Sequence, residues 1–553
     1  MKTRLPNWFV FGLITFLGIN FACAQNSTLD AAGEKVREYK AHQAFYRGDY
    51  FDALSRFKSG FEKYPKDAEL AYWVGECYFY LNDFVHAKEY FEKAIAINPS
   101  VNTNTHLDLG KCYQNLGELD KAIASLSLFK SKVTSTKTLK ESDVDHFIAQ
   151  CNTAKEMMAQ PVDVKIVNLG NLINSKYDDK RPSLTADGKK MIFTSRRPRE
   201  KDSPIDREGD GKYFEDIYSS TWDSVKKVWG DPELLPGGIN TEFHDAACSI
   251  SPDGKQIFVY KNDPKLAKGG DIWVSKLNSS GKWGTPHSIG APINTSYWED
   301  GACLSPDGNT LFFISEMDVK GAQGHGDIYY STRDSKAGAW KDPINMGPEI
   351  NTPYDEGGVF MAADGKTLFF CSEGHNSMGS YDIFKTVFEN GQWSKPINIG
   401  YPINTIGAEK SFVLTADGKT AYIASDRAGG FGERDIYQID LTNYPLMGKS
   451  TGKAAMGSPS VNSIVKGSVV STDGAKGMGV LINFFNQAGE KVAETHSSQE
   501  DGGAFFITLP AGKIYMLVIE QDGYDVFKEN FFMPASGDAS IYTMIKDIIL
   551  YKK

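Results

Sequence analysis

Residues 304–331 read LSPDGNTLFFISEMDVKGAQGHGDIYYS, and this stretch decides the fold of about half the chain. Asp307-Gly308 supplies the positive φ angles that a tight hairpin requires. Leu311-Phe312-Phe313 behind it is an apolar strand, and Asp327-Ile328-Tyr329 opens the next one. The same unit occurs five times: its turns are Asp187, Asp253, Asp307, Asp364 and Asp417, each followed by glycine, and its Asp-Ile-aromatic strands begin at Asp216, Asp271, Asp327, Asp382 and Asp435. Four copies continue through a tryptophan to an Ile-Asn-Thr step, pairing Trp229 with Asn240, Trp283 with Asn294, Trp340 with Asn351 and Trp393 with Asn404.

The fifth copy lacks that last strand, while a surplus one stands at the front in residues 164–170, followed by Ile173-Asn174-Ser175. A closed ring explains both, because the leading strand then completes the last sheet and leaves no open edge to aggregate. The length suits five blades over residues 161–446; six would require a degenerate copy inside the charged insert at 196–212. The repeated tryptophans are expected as core anchors between blades. With Ile250-Ser251-Pro252-Asp253-Gly254 and Leu304-Ser305-Pro306-Asp307-Gly308 as its closest copies, this region resembles the TolB-like β-propellers that are grouped with WD40-like (PD40) proteins. A sialidase Asp-box fits less well, since there one residue separates Asp from Gly.

Residues 31–160 carry a different, helical period. Gly48, Tyr50, Ala53, Phe57, Gly60 and Pro65 are followed 34 residues later by Ala87, Phe91, Ala94 and Pro99, with Gly75 and Tyr78 completing the second copy. Gly110, Tyr113, Gly117, Ala122 and Leu126 form a third, displaced by 35, in which Phe129 stands where a small residue is usual. Small residues at fixed offsets let paired helices approach closely, and residues 142–158 read as a capping helix. The pattern resembles tetratricopeptide repeats, which implies either a brace for the next domain or a concave groove that holds a partner.

Residues 447–463, rich in Gly, Ser, Lys and Ala, read as a linker, and residues 464–553 as a small β-sandwich of short strands. Gly503-Ala504-Phe505, Leu509-Pro510, Tyr515 and Gly523-Tyr524 give that last unit its resemblance to the transthyretin-like, carboxypeptidase regulatory-like domain, which implies a contact or spacing role without zinc or catalytic residues.

Lys2 and Arg4, the apolar run 8–22 and the triplet Ala22-Cys23-Ala24 are expected to form a secretory signal over residues 1–24. A lipobox reading places a lipidated cysteine at Cys23, although Asn20 stands where leucine is usual. The remaining six cysteines are expected reduced and buried, because Cys77 and Cys112 share a register in neighbouring helical repeats and no pair has C-x-x-C spacing. A net charge of −10 excludes a general phosphate-backbone binder, so nucleic acid is not an expected partner.

The chain shows no His-Glu-x-x-His and no calcium loop at Asp206, Glu208 and Asp210; Gly448-Lys449-Ser450 lacks the first glycine of a phosphate loop and stands in a linker, not at a strand-to-helix turn. No catalytic, cofactor or metal site is expected, and the chain reads as a non-enzyme. One recurrent feature remains: an acid after each Ile-Asn-Thr/Ser step, at Asp179, Asp245, Asp300, Glu356 and Glu409. These five either ring the mouth of the channel and attract cations or a basic peptide, or accept backbone hydrogen bonds as Asx-type turns do.

The order of export signal, helical repeats, propeller and regulatory-like sandwich resembles PorE-type envelope proteins of Bacteroidetes, from the type IX secretion and gliding apparatus. The resemblance implies a periplasmic, outer-membrane-associated scaffold whose partners are envelope proteins. The OmpA-like peptidoglycan-binding domain usual in that family is not among the motifs of this chain. A glycan- or small-ligand-binding accessory protein of an uptake system is the alternative.

Overall fold

Aspartates and glycines at the repeat boundaries shape the helical part. The chain is described here by a computed structural model covering residues 36–206, 211–261, 270–278, 280–319, 321–335, 338–447, 462–472, 477–534 and 541–553. The expected signal segment with Cys23, and most of the expected linker, lie outside these residues. Helix α1 spans 36–46, and α2 (Tyr50–Lys63), α3 (Ala68–Tyr80), α4 (Phe84–Ile97), α5 (Thr105–Asn115) and α6 (Leu119–Lys132) follow. Asp49, Asp67 and Asp83 cap α2, α3 and α4 by accepting amide hydrogens of the first turn. Adjacent helices meet at glycines: a Cβ on Gly75 would lie 2.7 Å from Phe91 Cδ1, and one on Gly110 2.6 Å from Leu126 Cγ. Helices α7 (Thr136–Ser142) and α8 (Val144–Met158) end the array.

The chain divides into two compact units, 1–148 and 149–553, the division falling within α8. The reason is local to the second unit: the buried Gln150 amide donates to Ser377 Oγ at 3.1 Å and to the Gly379 carbonyl.

Within the second unit, five antiparallel sheets repeat one plan among the described residues. The first holds Asp179–Leu184, Lys190–Ser195 and Asp216–Asp223, and the innermost strands of the others are Asp245–Ile250, Glu299–Leu304, Glu356–Met361 and Phe412–Leu414. Each innermost strand packs beside that of the next sheet, and the fifth packs beside the first, so the series closes on itself. Each Asp-Gly turn is held by its own carboxylate, as where Asp307 accepts from the Asn309 amide at 3.1 Å, and Gly308 takes φ 77° there. Residues 196–206 and 211–215 lie between Lys190–Ser195 and Asp216–Asp223 of the first sheet, with an isolated bridge between Ile205 and Tyr213.

The fifth sheet takes its outer strand from the front of the region: Lys165–Asn168 pairs antiparallel with Asp435–Asp440, Lys165 opposite Asp440. The Ile-Asn-Thr steps strengthen each sheet in the same way. Asn240, Asn294, Asn351 and Asn404 accept from and donate to the backbone of the isoleucine in Asp-Ile-aromatic, at 2.7–3.1 Å. Asn174 does this to Ile436 at 2.8 and 3.0 Å, joining residues 262 apart and fastening the two ends of the series. Tryptophans seal neighbouring sheets: Trp229 lies edge-on to Tyr422 at 5.8 Å, and Trp393 to Phe312 at 6.1 Å.

The last residues form two four-stranded sheets around one core that includes Val465, Phe484, Phe505, Leu517 and Ile548. Residues of Thr543–Ile545 and Ile548–Leu550 run parallel to Asn462–Ser471. This body packs on the sheet series through Ile464, Phe506 and Ile541 against Ala416, with Ala186 and Ala363 beside them. The Thr508 hydroxyl donates to the Ala363 carbonyl.

Candidate functional site

In the helical array the first helices of successive repeats lie side by side, α3 against α5, and form the inner row. Aromatic side chains concentrate there. Tyr39, Tyr46 and Tyr80 are 63%, 67% and 50% exposed. Behind them His42 meets Trp73 edge-on at 4.5 Å and Phe57 at 5.0 Å, and Tyr80 stacks on Tyr50 at 4.9 Å. Burial lowers the His42 pKa, which keeps this aromatic bed uncharged near neutrality.

Next to the bed is a polar group. Tyr72 and Glu76 project from α3, Asp108 and Lys111 from α5. Burial pushes both carboxyls up, with the neighbouring Asp108 adding to the rise of Glu76. In such a place the ionisation of one carboxyl disfavours that of the other. Burial pushes the Lys111 amine down, and its ammonium sits 4.5 Å over the Phe147 ring. The inner row therefore combines exposed rings with a buried carboxyl pair. Sequence reading had not singled out Tyr72, Glu76, Asp108 or Lys111, because the pairing depends on residues 32 apart meeting across two helices. The 35-residue displacement puts Glu76 in the same register as Lys111, one helical turn beyond Asp108.

Four of the five acids read from the sequence occupy equivalent places, and the fifth does not. Asp179, Asp245, Glu356 and Glu409 open the innermost strands or the turn into them and are at most 3% exposed. Each accepts the amide and hydroxyl hydrogens of the Ser or Thr four residues earlier: Ser175, Thr241, Thr352 and Thr405. In the third sheet that role belongs to Glu299, which accepts from Thr295. Asp300 is one residue further along the strand, and since successive side chains point to opposite faces it is turned away from Thr295. A second donor completes most sites: Arg197 on Asp179 at 2.8 Å, Lys261 on Asp245 at 2.6 Å, Ser372 on Glu356 at 2.8 Å and Ser425 on Glu409 at 2.6 Å. Burial raises the pKa of Glu299 and Glu409 and takes Glu356 up to about 8. The acids thus hold the corners between sheets.

Cys77, Cys112, Cys151, Cys303 and Cys371 are free and buried, and Cys248 is free and half-buried. Among the described residues no group of three or more His, Cys, Asp and Glu side chains could hold a metal ion. A cleft of about 450 Å³ opens between the sheet series and the C-terminal body, with Phe312, Tyr330, Phe388 and Trp393 on one wall and Val492 and Glu494 on the other.

The tetratricopeptide repeat family matches residues 68–101 and, through a second description of the same repeat, residues 103–128. The helical array is built of tetratricopeptide repeats. No curated protein matches the chain in sequence. Among solved structures, the array is similar to the Yersinia enterocolitica type III secretion chaperone SycD in complex with a peptide of the translocator YopD, at 17% identity over 22% of this chain and 93% of that one, TM-score 0.21. It is likewise similar to the first repeat domain of human RPAP3, at 20% identity over 22% and 96%, TM-score 0.20. A luciferin-regenerating enzyme covers 50% of this chain and 95% of its own at 13% identity, TM-score 0.29.

Proposed function

We propose that this chain is an exported, non-enzymatic scaffold of the cell envelope that holds a protein segment in the inner row of its tetratricopeptide repeats. The observation that carries this reading is the set of exposed rings Tyr39, Tyr46 and Tyr80 on helices whose repeats are of a protein-binding kind. The five sheets closed by Asn174 and Lys165–Asn168 support reading residues 161–446 as a five-bladed propeller, a second platform of fixed shape. The two sheets around Phe484 and Leu517 support a regulatory-like sandwich as its support. With the export signal, this order fits a periplasmic, outer-membrane-associated member of the type IX secretion or gliding machinery, with Cys23 as a lipid attachment point.

The test is crosslinking and affinity purification of the full chain from its native envelope, beside a Tyr39→Ala/Tyr46→Ala/Tyr80→Ala variant. Envelope proteins recovered with the first and lost with the second are the expected result. Equal recovery with both, or enrichment of oligosaccharide alone, overturns the scaffold reading. The second outcome would favour a glycan- or small-ligand-binding accessory role, for which the aromatic wall of the 450 Å³ cleft is the specific support.

A further inference from the structure

The cleft between the sheet series and the C-terminal body has two walls of different make. On the first, four rings follow one another: Tyr330 and Phe312 with centroids 6.1 Å apart, Phe312 and Trp393 at 6.1 Å, Trp393 and Phe388 at 5.1 Å. Phe388 is 41% exposed and Val492, on the facing wall, 47%, so apolar surface borders the 450 Å³ of open space from both sides.

The second wall is the edge of a sheet. Lys491–His496 is the terminal strand of its sheet, and among the described residues it forms a ladder only with Leu481–Phe485. Just beyond the strand the Ser497 amide donates to the Val480 carbonyl at 3.0 Å. An antiparallel ladder bonds through every second residue, so the amide and carbonyl of Glu494 turn away from Leu481–Phe485. Val492, Ala493 and Glu494 line the cleft, which brings these unpaired groups to its border. Ala504–Pro510 is a terminal strand of the other sheet, and there Thr508 reaches the sheet series by donating to the Ala363 carbonyl. One terminal strand is thus docked on the sheet series, and the other is left over the cleft.

A free sheet edge is a template for another chain. Lys491, Glu494 and the bulge opposite Phe485 discourage open association, while the wall of rings admits a segment that fits between. The charge of the lining narrows the choice. Asp307, Asp364 and Glu494 stand against the single ammonium of Lys366, and of the three only Glu494 is paired with Lys491, at 2.8 Å, while Asp307 makes no ion pair among the described residues. A cation entering the cleft would meet both unspent carboxylate charge and ring faces.

We propose that this cleft binds an extended segment of a partner protein, which adds to Lys491–His496 as a further strand, sets apolar side chains against Phe312, Trp393 and Phe388, and brings a lysine or arginine to the acidic lining. Main-chain bonds to the edge would supply affinity, and the rings and acids would supply selectivity. A polypeptide repeats its donors and acceptors at the spacing of the strand it joins, which the hydroxyls of a sugar do not. The site is separate from the inner row of the helical array, and the two stand or fall independently.

The test is panning of a displayed library of random dodecapeptides on the full chain carrying Tyr39→Ala, Tyr46→Ala and Tyr80→Ala, which takes the rings of the helical array out of the selection. Enrichment of sequences with apolar residues at alternate positions and at least one lysine or arginine is expected. The selected peptide, synthesised and titrated calorimetrically, should bind at least tenfold more weakly to Phe388→Ser and to Glu494→Pro, and equally well to Val225→Ser, a control at a site 92% exposed and outside the cleft. Methylating every second backbone nitrogen of the peptide should abolish binding in one register and spare it in the other, and binding should slow hydrogen exchange of the Glu494 amide. Recovery of no peptide, undiminished affinity in Phe388→Ser, or the same loss in both methylated registers overturns the proposal. Binding of cellohexaose in place of any peptide, lost in Phe388→Ser, overturns it in favour of a glycan. Phe388→Ser and the two methylated peptides decide the matter if Glu494→Pro does not fold.

Discussion

Buried carboxyls occur in both regions of the molecule, and they are held in different ways. Glu356 in the sheet series accepts from the Thr352 amide at 2.9 Å, the Thr352 hydroxyl at 2.7 Å and the Ser372 hydroxyl at 2.8 Å. The first two donors lie four residues away, and the arrangement recurs in every sheet. Glu76 in the helical array faces another acid, Asp108, across a helix pair, and this happens once. An acid that is repeated and locally satisfied is part of the architecture. One that is unique, and held beside a neighbour that also resists ionisation, is tied to a single helix pair.

The largest effect should come from breaking a corner. Glu356→Ala leaves three buried donors without an acceptor and should lower stability by about 3 kcal/mol or more, measured by denaturant unfolding of the full chain. Asp300→Asn, outside the corner set, should leave the Thr295 donors untouched, so its far-ultraviolet spectrum and the hydrogen-exchange protection of the Thr295 amide should match the parent. Glu299→Gln should reduce that protection.

A middle effect should appear at the helix contacts. Gly75→Ala forces a methyl against the Phe91 ring and should destabilise the array by about 1–3 kcal/mol. The equivalent change at Gly48, whose Cβ would meet nothing within 4 Å, tests backbone conformation alone: at φ 83° alanine should cost about 1 kcal/mol.

A further effect is in pH dependence. The folded pKa of Glu356, about 8, lies above its unfolded value, so the folded state binds the extra proton. Stability is therefore greatest below the unfolded pKa and falls as pH rises through about 8. Glu356→Gln should flatten that decline between pH 6 and pH 9, read as the change in unfolding midpoint. Glu76→Gln should flatten the corresponding decline in the helical array, since its carboxyl is raised in the same direction. A variant as pH-sensitive as the parent would remove the acid in question from this comparison.

Much of the sheet series was legible because its rules are local. An Asp-Gly pair dictates a hairpin, and a missing fourth strand with a spare one upstream dictates which ends meet; Lys165 pairs with Asp440 accordingly. The 34-residue period located the helical repeats because each needs a small residue where its neighbour packs, and the Phe91 ring against Gly75 shows why. The corner acids were also legible as a set, apart from the third. There Glu299-Asp300 presents two acids in succession, and composition could not say which one faced Thr295.

What tertiary structure alone decided is which side of each strand meets which neighbour. A one-residue step along a strand reverses a side chain's direction, so Glu299 faces Thr295 while Asp300 meets Arg181 and Cys248. The sequence by itself determined the repeats, their turns and the order in which they close. The meeting of Arg181, Cys248 and Asp300 from three separate sheets, and of Glu76 with Asp108 from two helices, exists only once the chain has closed. Electrostatic interaction depends on distance in space, and separation along the chain does not encode it.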